Sequence, residues 1–177
     1  MTRNVYLAAI LSLIQIVGTT AKADETYGSW SVALGDDRSF VYAATANDSG
    51  ALLGEYCYPD KGSCIWILGT KTKCEDGHEY PVLANSDTGA VQLQVKCNGL
   101  APNNLYSYAF TSFADVDQLV KGGTRVGFAL PLQADEFRVV RFLLNGSNAA
   151  IDSMRGIATK MNVGRVRGKT GTRDQDI

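Results

Sequence analysis

The 177-residue chain is expected to fold as a mainly β domain, an antiparallel β-sandwich or barrel with two short helices and disulfide staples. Three observations carry that expectation. Val91, Leu93 and Val95 alternate with Gln92, Gln94 and Lys96, a period of two that sets one face on a core and the other in water. Short apolar runs separated by Gly, Pro, Asn and Asp recur along the chain, which is the pattern of many short strands. Cys57, Cys64, Cys74 and Cys97 make an even set suited to two cross-links. A composition 45% hydrophobic and 20% charged argues against disorder, and a single long apolar run argues against a polytopic membrane protein.

Taken in chain order, Arg3 precedes the apolar stretch Val5 to Val17, too short to span a bilayer, and Ala21-Lys22-Ala23 has the A-x-A form of a processing site. Residues 1–23 are therefore expected to be a signal peptide, and the mature chain to begin at Asp24 with no transmembrane segment. Strands are expected at Gly28 to Leu34, Ser39 to Thr45, Ala51 to Cys57, Cys64 to Leu68, Glu79 to Ala84, Val91 to Lys96, Leu105 to Phe110, Val126 to Leu132 and Phe137 to Leu144. Pro59, Asp60 and Gly62 turn the chain between Cys57 and Cys64, and Cys74 and Cys97 flank a hairpin. The favoured pairing is thus Cys57 with Cys64 and Cys74 with Cys97. Zinc is disfavoured because the cysteine intervals lack a short C-x2-4-C knuckle.

A first helix, Phe113 to Val120, follows Ser112-Phe113-Ala114-Asp115, which resembles a capping box, and stops at Lys121-Gly122-Gly123. In a second, from about Asn148, Ile151, Met154, Ile157, Ala158 and Met161 recur at helical spacing. One domain over residues 24–161 and a basic tail over 162–177 complete the partition.

From Asp24 to Met154 there are 9 basic and 16 acidic residues, a balance of -7, whereas Arg155 to Ile177 carries 6 against 2, a balance of +4. An acidic body makes nucleic acid a poor partner, since phosphate binding needs a basic face. Asp87-Thr88-Gly89-Ala90 matches the D-T-G-[AS] of aspartic proteases, but Asn85 and Ser86 before it make a hairpin loop the better reading. Gly164 to Thr170 has three residues between its glycines where a P-loop needs four. His78, the sole histidine, falls in a polar turn with Glu75, Asp76 and Glu79, a poor setting for a general base. The adjacent pairs Asp36 with Asp37 and Asp135 with Glu136 point to opposite faces of a strand and read as loops. No catalytic residue, metal or cofactor is expected. Trp66 reads as core. Tyr56 and Tyr58 beside the first cysteine loop, and Tyr106 and Tyr108 on a later strand, are the candidate binding surface, for protein or glycan.

Gly28-Ser29-Trp30-Ser31-Val32 as first strand, cysteine-bearing β structure, Val116 to Gly123 leading to Arg125-Val126-Gly127-Phe128, and Phe142-Leu143-Leu144-Asn145-Gly146-Ser147 running into Ala149-Ala150-Ile151 follow in an order that resembles the invasion-associated locus B family of bacterial exported proteins. The chain departs from it in Val32-Ala33-Leu34, where that family tends to place a cysteine. The resemblance implies a periplasmic or envelope β-sandwich with a binding role, and it transfers no site residue. The functional expectation is a periplasmic or secreted, non-enzymatic interaction protein meeting a protein or glycan of the envelope or host. The alternatives are a small inhibitor or immunity protein acting through Tyr58 to Ser63, and, behind both, a hydrolase using Asp87 or His78.

Overall fold

The computed structural model describes residues 25–132 and 136–169, with side chains as far as 163. The expected leader, Asp135 and the end of the expected tail lie outside the described residues. Ten strands and two helices follow one another as β1 (Glu25–Tyr27), β2 (Trp30–Leu34), β3 (Val41–Ala46), β4 (Leu52–Tyr58), β5 (Ser63–Thr70), β6 (Glu79–Ser86), β7 (Gly89–Leu100), β8 (Tyr106–Phe110), α1 (Phe113–Gly122), β9 (Arg125–Pro131), β10 (Phe137–Leu143) and α2 (Ser147–Lys169). Every expected strand is present, and β1 is an addition the sequence did not announce.

The strands form one antiparallel sheet in the order β1-β2-β3-β4-β5-β8-β7-β6-β9-β10. The first five make a meander. The chain then crosses over, so that β5 pairs with β8 while the β6–β7 hairpin lies beyond it. The sheet coils on itself without closing. Its two ends meet along a seam of side chains: Trp30 Nε1 donates to Leu143 O (3.2 Å), Asn47 Nδ2 to Arg141 O (3.1 Å) and Ser29 Oγ to Asn145 O (3.1 Å). The first two bonds occupy carbonyls of the edge strand β10 that a backbone ladder would otherwise need, and the third holds the turn that follows it.

Alternation decides what lies inside. Trp30, Val41, Leu53, Trp66, Leu68, Val95, Phe128 and Leu130 are each 0–1% exposed and turn inward from six strands. The Trp30 and Trp66 rings meet edge to face at 6.2 Å, and Phe128 packs between Phe110 and Phe142. Ala150, Ile151 and Met154 of α2, all 0% exposed, seal this core over β1 to β4. α2 is not short: its backbone continues past Met161 to Lys169, so Gly164 and Gly168, whose spacing argued against a P-loop, fall in its last turns.

α1 begins at Ser112 as expected, but the capping box does not form. Ser112 makes no side-chain bond to the helix backbone, its hydroxyl donating instead to the Asp115 carboxylate. At its other end, Ser147 Oγ and Asn148 Nδ2 of α2 donate to the carbonyls of Val120 and Lys121, which the end of α1 leaves without helical partners. Gly146 (φ 88°) makes the turn before α2 and lets the Tyr27 carbonyl approach so closely that a Cβ would lie 2.0 Å from its oxygen.

Both expected disulfides are present. Cys57 and Cys64 sit directly opposite each other on the β4–β5 hairpin, and Cys74 joins the loop before β6 to Cys97 of β7.

Candidate binding face

The outward side chains of β2 to β5 and β8 differ greatly in height, row by row, and that difference makes a site. In the first row, register places Ala33, Tyr42, Tyr56 and Ile65 side by side. The next holds Ser31, Ala44, Gly54, Ile67 and Ala109. The third holds Ala46, Leu52, Gly69 and Ser107. Tall rings thus stand at one end of a lower floor built mostly from alanine, glycine and serine, with Leu52 and Ile67 among them. The loop from Ala101 to Leu105 walls the other end, with Leu105 lying over Gly69, where a Cβ would be 3.3 Å from its Cδ1. That loop holds itself in place through Asn104 N–H to Ala101 O (3.0 Å), Ala101 N–H to Leu105 O (2.8 Å) and Leu105 N–H to Asn103 Oδ1 (3.2 Å). The trough, open to solvent along one side, measures about 850 Å³, within the span of about 300 to 1,000 Å³ usual for small-ligand sites.

Four rings form its aromatic end. Tyr42 and Tyr56 stack at 5.3 Å and 19°, and Phe40 meets Tyr42, Tyr56 and Tyr58 at 6.0, 5.9 and 5.7 Å. Phe40 is positioned by the turn before β3, in which Gly35 N–H bonds to Phe40 O at 2.9 Å and the ring lies over Gly35 itself. Burial, then the neighbouring Tyr42 and Tyr58, pushes the Tyr56 phenol up to about 12, and burial also raises Tyr58. Both phenols stay protonated and neutral at ordinary pH and can donate hydrogen bonds.

The sequence candidates divide. Tyr56 and Tyr58 belong to the cluster. Tyr108 is corrected: it is 2% exposed, its hydroxyl donates to Thr72 O at 2.9 Å, and its ring packs edge-on against Tyr80, so it is core. Burial, then Tyr80 and Tyr106, raises its phenol to about 12. Tyr106 shares that inward face and is half-buried against the core. Their strand runs the same way as expected, but its aromatic face is the inner one. Phe40 and Tyr42 were not singled out, although Phe40, Tyr42, Ala44 and Ala46 alternate along one face. That signal becomes a site only once β3 is paired with β4.

A second missed feature lies beneath the sheet. Leu53, Glu55 and Cys57 alternate inward, which places a carboxylate in the core with its side chain 0% exposed. Arg155 of α2 grips it with Nε on Oε1 (2.9 Å) and Nη2 on Oε2 (2.8 Å), and also donates to Asp117 of α1. Burial is the largest influence on Glu55 and holds its carboxyl above the usual range against the lowering by Arg155. This triad ties strand, α1 and α2 together. Glu55 also lies near the sulfurs of Cys57 and Cys64, but these are spent in a disulfide and offer no thiolate to a metal.

His78 is exposed in its turn, with Nδ1 2.9 Å from Glu75 Oε2. Asp87 occupies the tight β6–β7 turn and accepts from Thr124 Oγ1 (2.7 Å) and Thr124 N (3.0 Å), which hold its carboxyl below the usual range. It fastens the turn to the start of β9.

Comparison with protein-family models found none that matches, and comparison with curated proteins found none either. Among solved structures, the crystal structure of invasion associated protein B from Bartonella henselae matches with a TM-score of 0.58 at 17% identity, covering 77% of this chain and 99% of that one. The chain has a fold similar to that of invasion associated protein B. The expected likeness to that family therefore holds at the level of the fold. Among the described residues, no helix is long and apolar enough to cross a membrane.

Proposed function

We propose that the chain is an exported, non-enzymatic binding protein of the bacterial envelope or cell exterior, and that the trough between Tyr42 and Leu105 is its binding site. The observation that carries this reading is the four-ring cluster standing over a floor of small residues, a concave, largely apolar surface with polar edges. Export is supported by the two disulfides, which persist in oxidising compartments, by the leader expected at residues 1–23, and by the similarity to a protein named for invasion. A non-enzymatic role is supported by the settings of His78 and Asp87, one in an exposed turn and the other serving as a strap. The test is capture from an envelope extract on immobilised protein: Tyr42→Ala with Tyr56→Ala should abolish it, and capture indifferent to both would sink the reading.

A second reading, a small inhibitor, is favoured by one feature: the exposed loop Asp60 to Ser63 is stapled at its base by Cys57 and Cys64 and stiffened by Lys61 N–H to Tyr58 O (3.0 Å). Loss of a single tight partner on replacing Asp60 to Ser63 with Gly-Ser residues, with the trough intact, would favour it.

A further inference from the structure

Resting on the trough as the binding site, we infer that its ligand is a neutral glycan chain, with sugar rings lying on the small-residue floor beside Tyr42 and Tyr56 and hydroxyls reaching the polar rim. Charge is the first argument. Although the body from Asp24 to Met154 carries a balance of -7, Asp36 is the only charged side chain lining the trough among the described residues. A strongly charged ligand would leave water without a counter-ion to meet it.

Backbone pairing is the second argument. The floor belongs to β3, β4 and β5, each hydrogen-bonded on both sides, so no strand edge is open there to a peptide. An extended peptide laid on this floor would bring backbone amides into a place with no ladder to join.

A pyranose ring has the opposite distribution of polarity: its C–H faces are apolar and its hydroxyls project from the edge. The trough matches that distribution. Ala44, Gly69 and the rings provide the apolar face, the hydroxyls of Ser31 and Ser107 stand within the floor beside it, and Asn103 and Asp36 add amide and carboxylate groups to the lining. The phenols of Tyr56 and Tyr58 stay protonated and add donors without adding charge.

The test is calorimetric titration of the full exported chain with two probes, a β-1,4 tetramer of N-acetylglucosamine and a β-1,4 tetramer of glucose. Saturable binding of at least one is expected, weakened about tenfold or more by Tyr42→Ala, the scale of one lost aromatic contact. Ala44→Leu serves as the second variant, because it fills the floor while keeping all four rings and the core, and it should weaken the same sugar at least as much. Circular dichroism and a thermal melt establish that each variant is folded. No binding of either sugar by the folded chain overturns the glycan assignment, and so does binding that Ala44→Leu leaves unchanged. If no sugar binds but capture from an envelope extract is lost in Ala44→Leu, the glycan fails and the binding site survives. If neither occurs, both fail.

Discussion

Glu55 shows how one side chain out of pattern organises its surroundings. A carboxylate on the inward face of a strand is costly unless paired, and Arg155 pairs it through two nitrogens. Arg155→Met should therefore cost about 3–5 kcal/mol in urea unfolding, because it strands the buried charge. Because Glu55 is held above the usual range, the folded chain keeps its proton over a window in which the unfolded chain has lost it. That contribution to stability is complete below the ordinary glutamate range and is lost as pH rises through the raised value. In Glu55→Gln the urea midpoint should fall less between about pH 4 and the raised value than in the parent. Asp87 has the opposite sign: held low by Thr124, it contributes above the ordinary aspartate range and loses that contribution as pH falls. Asp87→Asn should flatten the acid limb of the same curve. Gly146→Ala should fail to fold, since its Cβ would collide with the Tyr27 carbonyl. The glycine is plain in the sequence, but its collision partner lies far away along the chain and could not be read there.

Among the elements, the two cross-linked hairpins differ in the length of chain they close, 7 positions for Cys57–Cys64 and 23 for Cys74–Cys97. The chain-entropy relation makes the longer loop worth about 1 kcal/mol more. Removing Cys74 and Cys97 together by serine should lower the denaturant midpoint further than removing Cys57 and Cys64. Equal losses would place the effect in the native packing instead. The connectivity was legible because turn residues mark both reversals. The sequence also announced nearly every strand, since alternation is local. It did not announce the length of α2, because Gly164 and Gly168 read as a tail while the apolar stripe at Ile151 and Met154 anchors the preceding turns. β1 was missed for a related reason: three residues are too few to show a period, and Glu25 to Tyr27 become a strand only by pairing with β2.

For the molecule as a whole, the open sheet depends on its seam. Asn47 accepts Ser49 N–H (3.1 Å) and Ala51 N–H (2.9 Å) while donating to Arg141 O, so it shapes its own turn and holds the far edge. Asn47→Ala should leave the protein folded but speed amide exchange in β10, measured by hydrogen–deuterium mass spectrometry; unchanged exchange would show that Trp30 and Ser29 hold the edge alone. The proposed export makes a further prediction: native material should begin at Asp24 and show no free thiol on alkylation. Alternation and turn chemistry act between neighbours in the chain, so the β class, the disulfide pairing and a core tryptophan at position 66 could all be read directly. Inside and outside are different, because a period of two names two faces without saying which is buried. The crossover that puts β8 beside β5 turned Tyr108 inward, and the pairing of β3 with β4 gathered Phe40 and Tyr42 around Tyr56 and Tyr58. Contacts between distant segments made those choices, and the proposed binding face exists only through them.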